Sequence, residues 1–302
     1  MPHPATPMRF APSPSGWLHL GHAYSALFGA ALAAREGAAF LLRIEDIDQG
    51  RTREEYVHGI YEDLAWLGLS WPEPVMRQST RMAVYERALR DLRDMEIVYP
   101  CFATRKEITD AINESGIGLK HWPSDPDGAP IYPGLYKDIS LSERNRLMWE
   151  GRSYAWRLDL EKATALAERM NGGPITFVEE GESPIGQTGR QKIRPELFGD
   201  VIIARKDVPT SYHLAVVIDD AAQGVGLVTR GQDLFAATFI HRLLQILLGL
   251  PEPRYHHHGL IRDATGRRLS KTARDQGLRD LRAQGLTPLD IRRLIGLDHP
   301  TD

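Results

Sequence analysis

The sequence predicts an α/β fold built on a parallel sheet, and three observations predict it. Residues 8–11 form a short apolar run that ends in Pro12, Ser13 and Pro14 and hands over to a helical pattern from Leu20. Residues 40–44 form a second apolar run closed by charges, the pattern of a buried parallel strand. Each run is followed by helical periodicity, so strand and helix alternate, and right-handed units of that kind gather ligands at the carboxyl ends of their strands.

The elements follow in order. Along 20–35 the residues Ala23, Leu27, Ala30, Ala31 and Ala34 recur at helical spacing, which puts His19 to His22 on the first turn. Residues 52–67 and 80–95 read as amphipathic helices, the first with Ile60, Leu64 and Leu67 inward, separated by a proline-rich break at 71–74. From Tyr99 to about Pro195 the pattern changes: 124–133 is crowded with Pro, Asp and Gly, and 154–160 and 174–178 look like strands, as in an insertion. The sheet is expected to resume at 200–204, 214–218 and 225–229, ahead of a strongly apolar helix at 234–248 that Pro251 and Pro253 terminate. Residues 279–284 and 288–297 read as two short helices. The organisation expected is a first catalytic half (1–98), an inserted subdomain (99–195), a second catalytic half (196–265) and a loop with C-terminal helices (266–302).

With 302 residues, 42% of them hydrophobic, the chain can bury a sizeable core in two domains or one elaborated one. No apolar stretch is long enough to span a bilayer, and Met1-Pro2-His3-Pro4 lacks the regions of a signal peptide, so a cytoplasmic protein without a membrane partner is expected. The single cysteine, Cys101, excludes an intrachain disulfide and reads as a small buried apolar residue. A net charge of −3 argues against indiscriminate coating of nucleic acid. Local charge differs: Arg254, Arg262, Arg267, Arg268, Lys271 and Arg274 face only Asp263 within 254–274. His256, His257 and His258 are consecutive, and alternating strand side chains cannot all converge on one metal ion.

Two segments carry the chemistry. In Arg9-Phe10-Ala11-Pro12-Ser13-Pro14-Ser15-Gly16-Trp17-Leu18-His19-Leu20-Gly21-His22, two histidines flank a glycine at a helix N-terminus. Unpaired amides and the helix dipole attract phosphate there, Gly21 permits close approach and the imidazoles add donors, so the turn suits ATP. Taken alone, it is equally the cap of an ordinary helix. The second segment, Gly266-Arg267-Arg268-Leu269-Ser270-Lys271-Thr272, is a basic, hydroxyl-rich loop able to close over phosphates, but taken alone it reads first as a solvated basic face.

Together His19-Leu20-Gly21-His22 and Arg268-Leu269-Ser270-Lys271-Thr272 resemble the HIGH and KMSKS signatures of the class I aminoacyl-tRNA synthetases. The resemblance extends through Arg43-Ile44-Glu45-Asp46-Ile47-Asp48, Tyr212 to Asp220 and Arg230-Gly231-Gln232-Asp233-Leu234, which look like the glutamyl branch. It implies a Rossmann-like parallel sheet, an inserted acceptor-binding-like α+β subdomain and a short C-terminal helical segment. It also implies His19, His22 and Lys271 as catalytic groups, and ATP held by His19, Gly21, His22, Ser270 and Lys271. The acidic cluster Glu45, Asp46 and Asp48 could alternatively hold magnesium, but carboxylates usually share that ion with substrate phosphates, so magnesium is expected to arrive with ATP.

Glutamate presents two carboxylates and one ammonium, so its pocket wants two fixed cations and one anion. Arg9, Arg230 and Glu45 fit, each beside an expected strand end, with Tyr212 and Ser13 adding hydroxyls and Phe10, Ala11 and Pro12 bordering the substrate. By resemblance these positions match the family's glutamate-binding residues.

Two departures narrow the resemblance. The chain stops soon after the KMSKS-like loop, leaving no room for a separate anticodon-binding domain, and Val216 stands where full-length glutamyl enzymes commonly carry asparagine. Both resemble the truncated paralogues of the branch, which implies a monomer that transfers glutamate to queuosine, the modified wobble base of tRNA(Asp). Of the family's zinc ligands only Cys101 and Tyr132 remain, so the structural zinc is expected to be lost and the insert to rely on packing through Trp122, Trp149 and Trp156. The alternatives are another acid-activating nucleotidyltransferase of the same superfold and a catalytically silent tRNA-binding protein.

Overall fold

The first apolar run is β1 (Met8–Phe10), followed by α1 (Leu20–Glu36) and β2 (Phe40–Ile44). In this computed structural model, which describes residues 5–181, 183–261 and 276–297, β1 and β2 lie parallel with Met8 opposite Phe40. Next come α2 (Glu54–Trp66), β3 (Met76–Arg77), which extends the ladder parallel to β2, and α3 (Met82–Asp94). Helix α1 ends at Gly37, whose φ of +65° is the left-handed cap that glycine adopts without strain. Its buried face is Ala23, Ala26, Leu27, Gly29, Leu32 and Ala33, while Ala30 and Ala31 are half-buried and Ala34 is exposed. The alanine spacing therefore marks the helix, while the core-facing side is completed by Ala26, Gly29, Leu32 and Ala33. In α2, by contrast, Ile60, Leu64 and, just beyond it, Leu67 are buried as the pattern requires.

The same helix buries Asp63. Neither of its carboxylate oxygens has a hydrogen-bond partner, and the nearest cation is Arg282 Nη2 at 3.6 Å. Burial pushes the carboxyl up to about 6, with Arg282 acting weakly against it. The folded chain therefore holds a proton that the unfolded chain releases: the contribution to stability is full below the ordinary aspartate range and is lost as pH rises through about 6. Asp63→Asn is expected to raise the thermal midpoint at about pH 8 and to flatten its fall between about pH 4 and pH 6, the window this linkage sets. A midpoint at or below the parent's at that alkaline pH would show that Arg282 already compensates the charge.

The middle of the chain contains β4 (Val98–Cys101), α4 (Arg105–Glu114), α5 (Leu141–Trp149), β5 (Ala155–Leu158), α6 (Leu160–Asn171), β6 (Thr176–Glu179), β7 (Gly189–Lys192) and β8 (Ile202–Arg205). Strands β4, β5 and β8 form an antiparallel sheet, with Val98 opposite Leu158 and Trp156 opposite Ala204. Residues 202–205 thus pair antiparallel with β5 and not with the parallel sheet that the sequence places at 200–204. Local periodicity marks a strand but not its partner. Trp156 is buried and Trp122 is half-buried with its ring N–H on Ile131 O, but Trp149 is 88% exposed. Helix α5 is the reason: its one buried residue is Leu147, two positions away on another face.

The remaining elements are α7 (Tyr212–Ala222), β9 (Leu227–Gly231), α8 (Ala237–Leu247), β10 (Arg254–His258), α9 (Leu278–Ala283) and α10 (Pro288–Leu294). β10 lies parallel to β9 over five residues and parallel to β6, while β7 adds to β6 antiparallel. β9 is seated beside β1, where the Gly226 amide donates to Pro7 O at 3.2 Å. Residues 214–218, expected as a strand, are the core of α7. Every residue from Leu214 to Asp220 is buried, so no period separates a helix from a strand, and a five-residue apolar run fits both.

Candidate active site

The turn at His19 is a helix cap, and its details orient both rings. His19 is the N-cap of α1, its Nδ1 accepts the Gly21 amide at 3.1 Å, and the His19 amide donates to His22 Nδ1 at 3.2 Å. In each neutral ring the proton is then on Nε2, which makes both imidazoles donors on the side away from the helix. The rings lie 3.9 Å apart between centroids. A Cβ on residue 21 would come within 3.0 Å of the His19 ring, so a side chain here would press on the ring that caps the helix. Ser270 and Lys271 lie outside the described residues, as do Arg262, Arg267, Arg268 and Arg274. On the near side of that segment, His258 Nε2 meets Ser25 Oγ of α1 at 3.1 Å. On the far side, the Leu278 amide donates to Leu18 O at 2.8 Å.

A cavity of about 390 Å³ opens beside this turn. Arg9, Phe10, Ala11, Pro12, Ser13, Glu45, Tyr212 and Arg230 all line it, together with His22, Ser25, Val216 and Thr229. The eight residues expected at an amino-acid site are therefore brought together, with one expected nucleotide-side residue, His22, on the same wall. A larger cavity of about 640 Å³ lies across the Gln232–Leu234 turn, with Lys192, Arg194 and Asp233 in its lining.

Charge in the smaller cavity is set by partners that the sequence reading left out. Asp220 accepts from Arg9 Nε at 2.8 Å, Arg9 Nη2 at 3.1 Å and Arg43 Nη1 at 2.7 Å. Arg43, fully buried, also donates to Glu45 at 3.0 Å and to Gln223 at 3.0 Å. Burial works to raise the Asp220 carboxyl, but Arg9 and Arg43 more than offset it and hold it below the usual aspartate range. Glu45 goes the other way: burial raises its carboxyl despite Arg43 and Arg9. Asp46 accepts from the Ser79 amide and hydroxyl, both at 2.7 Å, and from Arg77 at 2.9 Å, while Asp48 pairs with Arg51 at 2.7 Å. The acidic cluster is thus committed to protein partners.

Arg230 is held differently. It donates to Thr238 Oγ1 at 2.6 Å, His257 Nε2 at 3.1 Å, His241 Nδ1 at 3.1 Å and the Tyr212 hydroxyl at 3.4 Å. None of these is a carboxylate, and among the described residues Arg230 has no ion-pair partner. Burial, then the Arg230 charge, push the His213 imidazole down to about 4 and His241 well down, so the cage is neutral. Cys101 and Tyr132 meet in a buried cluster with Tyr99. Among the described residues no group of three His, Cys, Asp or Glu is arranged to hold a metal ion.

A parallel sheet, a capped HxGH turn and a cavity lined by both signs of charge define an α/β nucleotide-using enzyme. The family model of the class I tRNA synthetases (E and Q), catalytic domain, matches residues 6–129 and 185–298, and the chain belongs to that family. Over 295 residues it is 46% identical to the glutamyl-Q tRNA(Asp) synthetase of Rhodobacter capsulatus, covering 96% of this chain and 99% of that one. It is 39% identical to the protein of the same name from Nitratidesulfovibrio vulgaris, with 96% and 85% covered. Among solved structures it is similar to the glutamate tRNA ligase from Elizabethkingia meningosepticum in complex with its amino acid, with a TM-score of 0.70 at 24% identity. That likeness covers 94% of this chain and 54% of the ligase, so the chain spans about half of that enzyme's length.

Proposed function

We propose that this chain is a ligase that activates glutamate with ATP and transfers the glutamyl group to queuosine at the wobble position of tRNA(Asp). The observation that carries the reading is the 46% identity to the Rhodobacter capsulatus protein over 99% of that protein's length. The cavity supports the amino-acid part: Arg230 supplies a cation for a carboxylate, and Glu45 an anion for the ammonium.

In the first step an oxygen of the glutamate α-carboxylate attacks the α-phosphorus of ATP in line, and the bond to pyrophosphate breaks. His19 and His22 donate through Nε2 to the phosphates and Lys271 adds a positive charge, while magnesium arriving with ATP would neutralise further phosphate charge. In the second step a hydroxyl of the queuosine ring attacks the adenylate carbonyl, losing its proton, and AMP leaves. The chain acts as a monomer, by positioning and charge stabilisation. The 99–195 segment faces the RNA.

Labelled glutamate and ATP offered to tRNA(Asp) with and without queuosine test this reading. Label is expected on the modified RNA alone. Equal labelling of both RNAs would overturn the acceptor, and an absence of glutamate-dependent pyrophosphate exchange would overturn the activation itself.

A further inference from the structure

Behind the cavity wall, β6 and β10 bury a pair that none of the chemistry above uses. The His257 ring Nδ1 lies 2.5 Å from Glu179 Oε2, and both side chains are fully buried. The other Glu179 oxygen, Oε1, accepts the backbone amides of Gly181 and His257, each at 2.9 Å. We infer that Glu179 is a positioning residue for Arg230, acting through His257: its carboxylate fixes the proton of the ring on Nδ1, and the bare Nε2 then holds the arginine.

The direction of each bond follows from what its ends can do. Arg230 Nε only donates, so His257 Nε2, 3.1 Å away, must present its lone pair. Burial is the main force pushing this imidazole down to about 4, and the Arg230 charge adds to it, so the ring is neutral and carries its one proton on Nδ1, facing Glu179. Burial alone would raise the Glu179 carboxyl, but the hydrogen bonds from His257 and Gly181 hold it below the ordinary glutamate range. A carboxylate is therefore needed here, because both of its oxygens accept.

The surrounding backbone cannot slide to relieve a mismatch. Glu179 stands opposite Tyr255 in the parallel pairing, and a Cβ on Gly181 would come within 2.5 Å of His257 O. The arrangement also differs from that around Arg9, which is bonded twice to Asp220. Glu179 reaches Arg230 only through an imidazole. The guanidinium is thereby aligned without having its charge cancelled by direct contact, and its Nη1 edge remains toward Tyr212 and the cavity. That the group it meets there is a glutamate carboxylate rests on the function proposed above; the bond directions do not.

The test is Glu179→Gln, which keeps the shape and removes one acceptor. If the amide oxygen stays on the two backbone amides, the NH2 faces His257 Nδ1. The ring proton then moves to Nε2 and points at the Arg230 N–H, the same wrong-tautomer effect that an amide produces behind a catalytic histidine. If the amide turns over, its NH2 faces two backbone N–H groups. The KM for glutamate in pyrophosphate exchange is expected to rise roughly tenfold or more, the size of one lost hydrogen bond to a charged group, with the KM for ATP unchanged. Long-range proton–nitrogen spectra of the histidines are expected to show His257 protonated on Nδ1 in the parent and altered in the variant. An unchanged glutamate KM, or equal rises for glutamate and ATP, would overturn the inference. So would a parent spectrum with the proton on Nε2, which decides the matter even if the variant does not fold. Were the parent to show no glutamate-dependent exchange, the proposed function would fail while the spectra still decided the relay.

Discussion

Arg230→Ala is expected to raise the KM for glutamate in pyrophosphate exchange by about 100-fold or more, because truncating one partner of a buried, hydrogen-bonded charge pair costs roughly 2–5 kcal/mol. Arg230 is 5% exposed, lines the cavity and is its one arginine without a carboxylate partner among the described residues. Arg9 is already satisfied by Asp220, so it offers a substrate carboxylate less uncompensated charge. The alanine would also leave His257 Nε2, His241 Nδ1 and Thr238 Oγ1 without the donor they share.

Arg230→Lys separates charge from shape. Lysine keeps the charge but lacks the planar fork, and it cannot reach three neutral acceptors at once. Its glutamate KM is expected to fall between those of the parent and the alanine variant, with the KM for ATP unchanged in both. An alanine variant with the parent's glutamate KM would remove the main support for a charge-complementary cavity. A uniform loss for ATP and glutamate would instead place Arg230 among the groups that hold the fold.

The cavity wall was legible because its residues sit in or beside short strands and turns whose local patterns are strong. Arg9 to Ala11 lie in one apolar run that Pro12 and Ser13 close, Glu45 follows another, and Arg230 lies in β9. The carboxylates behind them were not. Asp220 lies two residues beyond 214–218, which reads as a strand, but the whole stretch folds as the buried helix α7, and a helix turns Asp219 and Asp220 onto different partners. Asp219 thus receives Gln78, Arg81 and Tyr85, close to the start of α3, while Asp220 receives Arg9 and Arg43. Arg43 was equally hidden, a buried cation inside an apolar run. Glu179 and His257 depend on β6 joining β10, a pairing between segments far apart in sequence that no local period specifies.

Asp220→Ala is expected to cost about 3–5 kcal/mol of stability, as breaking a buried ion pair by removing one partner does. Its carboxylate receives three hydrogen bonds from two arginines that are themselves buried. Without it, Arg43 keeps only Glu45 and Gln223, and its Nε already lacks a partner. The thermal midpoint should fall by roughly 10 °C for a chain of this size. The sign of the pH dependence follows from the lowered carboxyl. The folded state gives up this proton more readily than the unfolded state, so the contribution is present above the ordinary aspartate range and is lost as pH falls through the lowered folded value. The variant should therefore show a shallower loss of stability in acid than the parent, measured by thermal melts from about pH 5 down to about pH 2, the span over which a lowered aspartate loses its contribution. A midpoint within about 2 °C of the parent's, less than 1 kcal/mol on the same scale, would mean that Glu45 alone suffices for both arginines. In that case Glu45 could not also be the anion offered to the substrate's ammonium, so this melt bears on the binding site as directly as on the core.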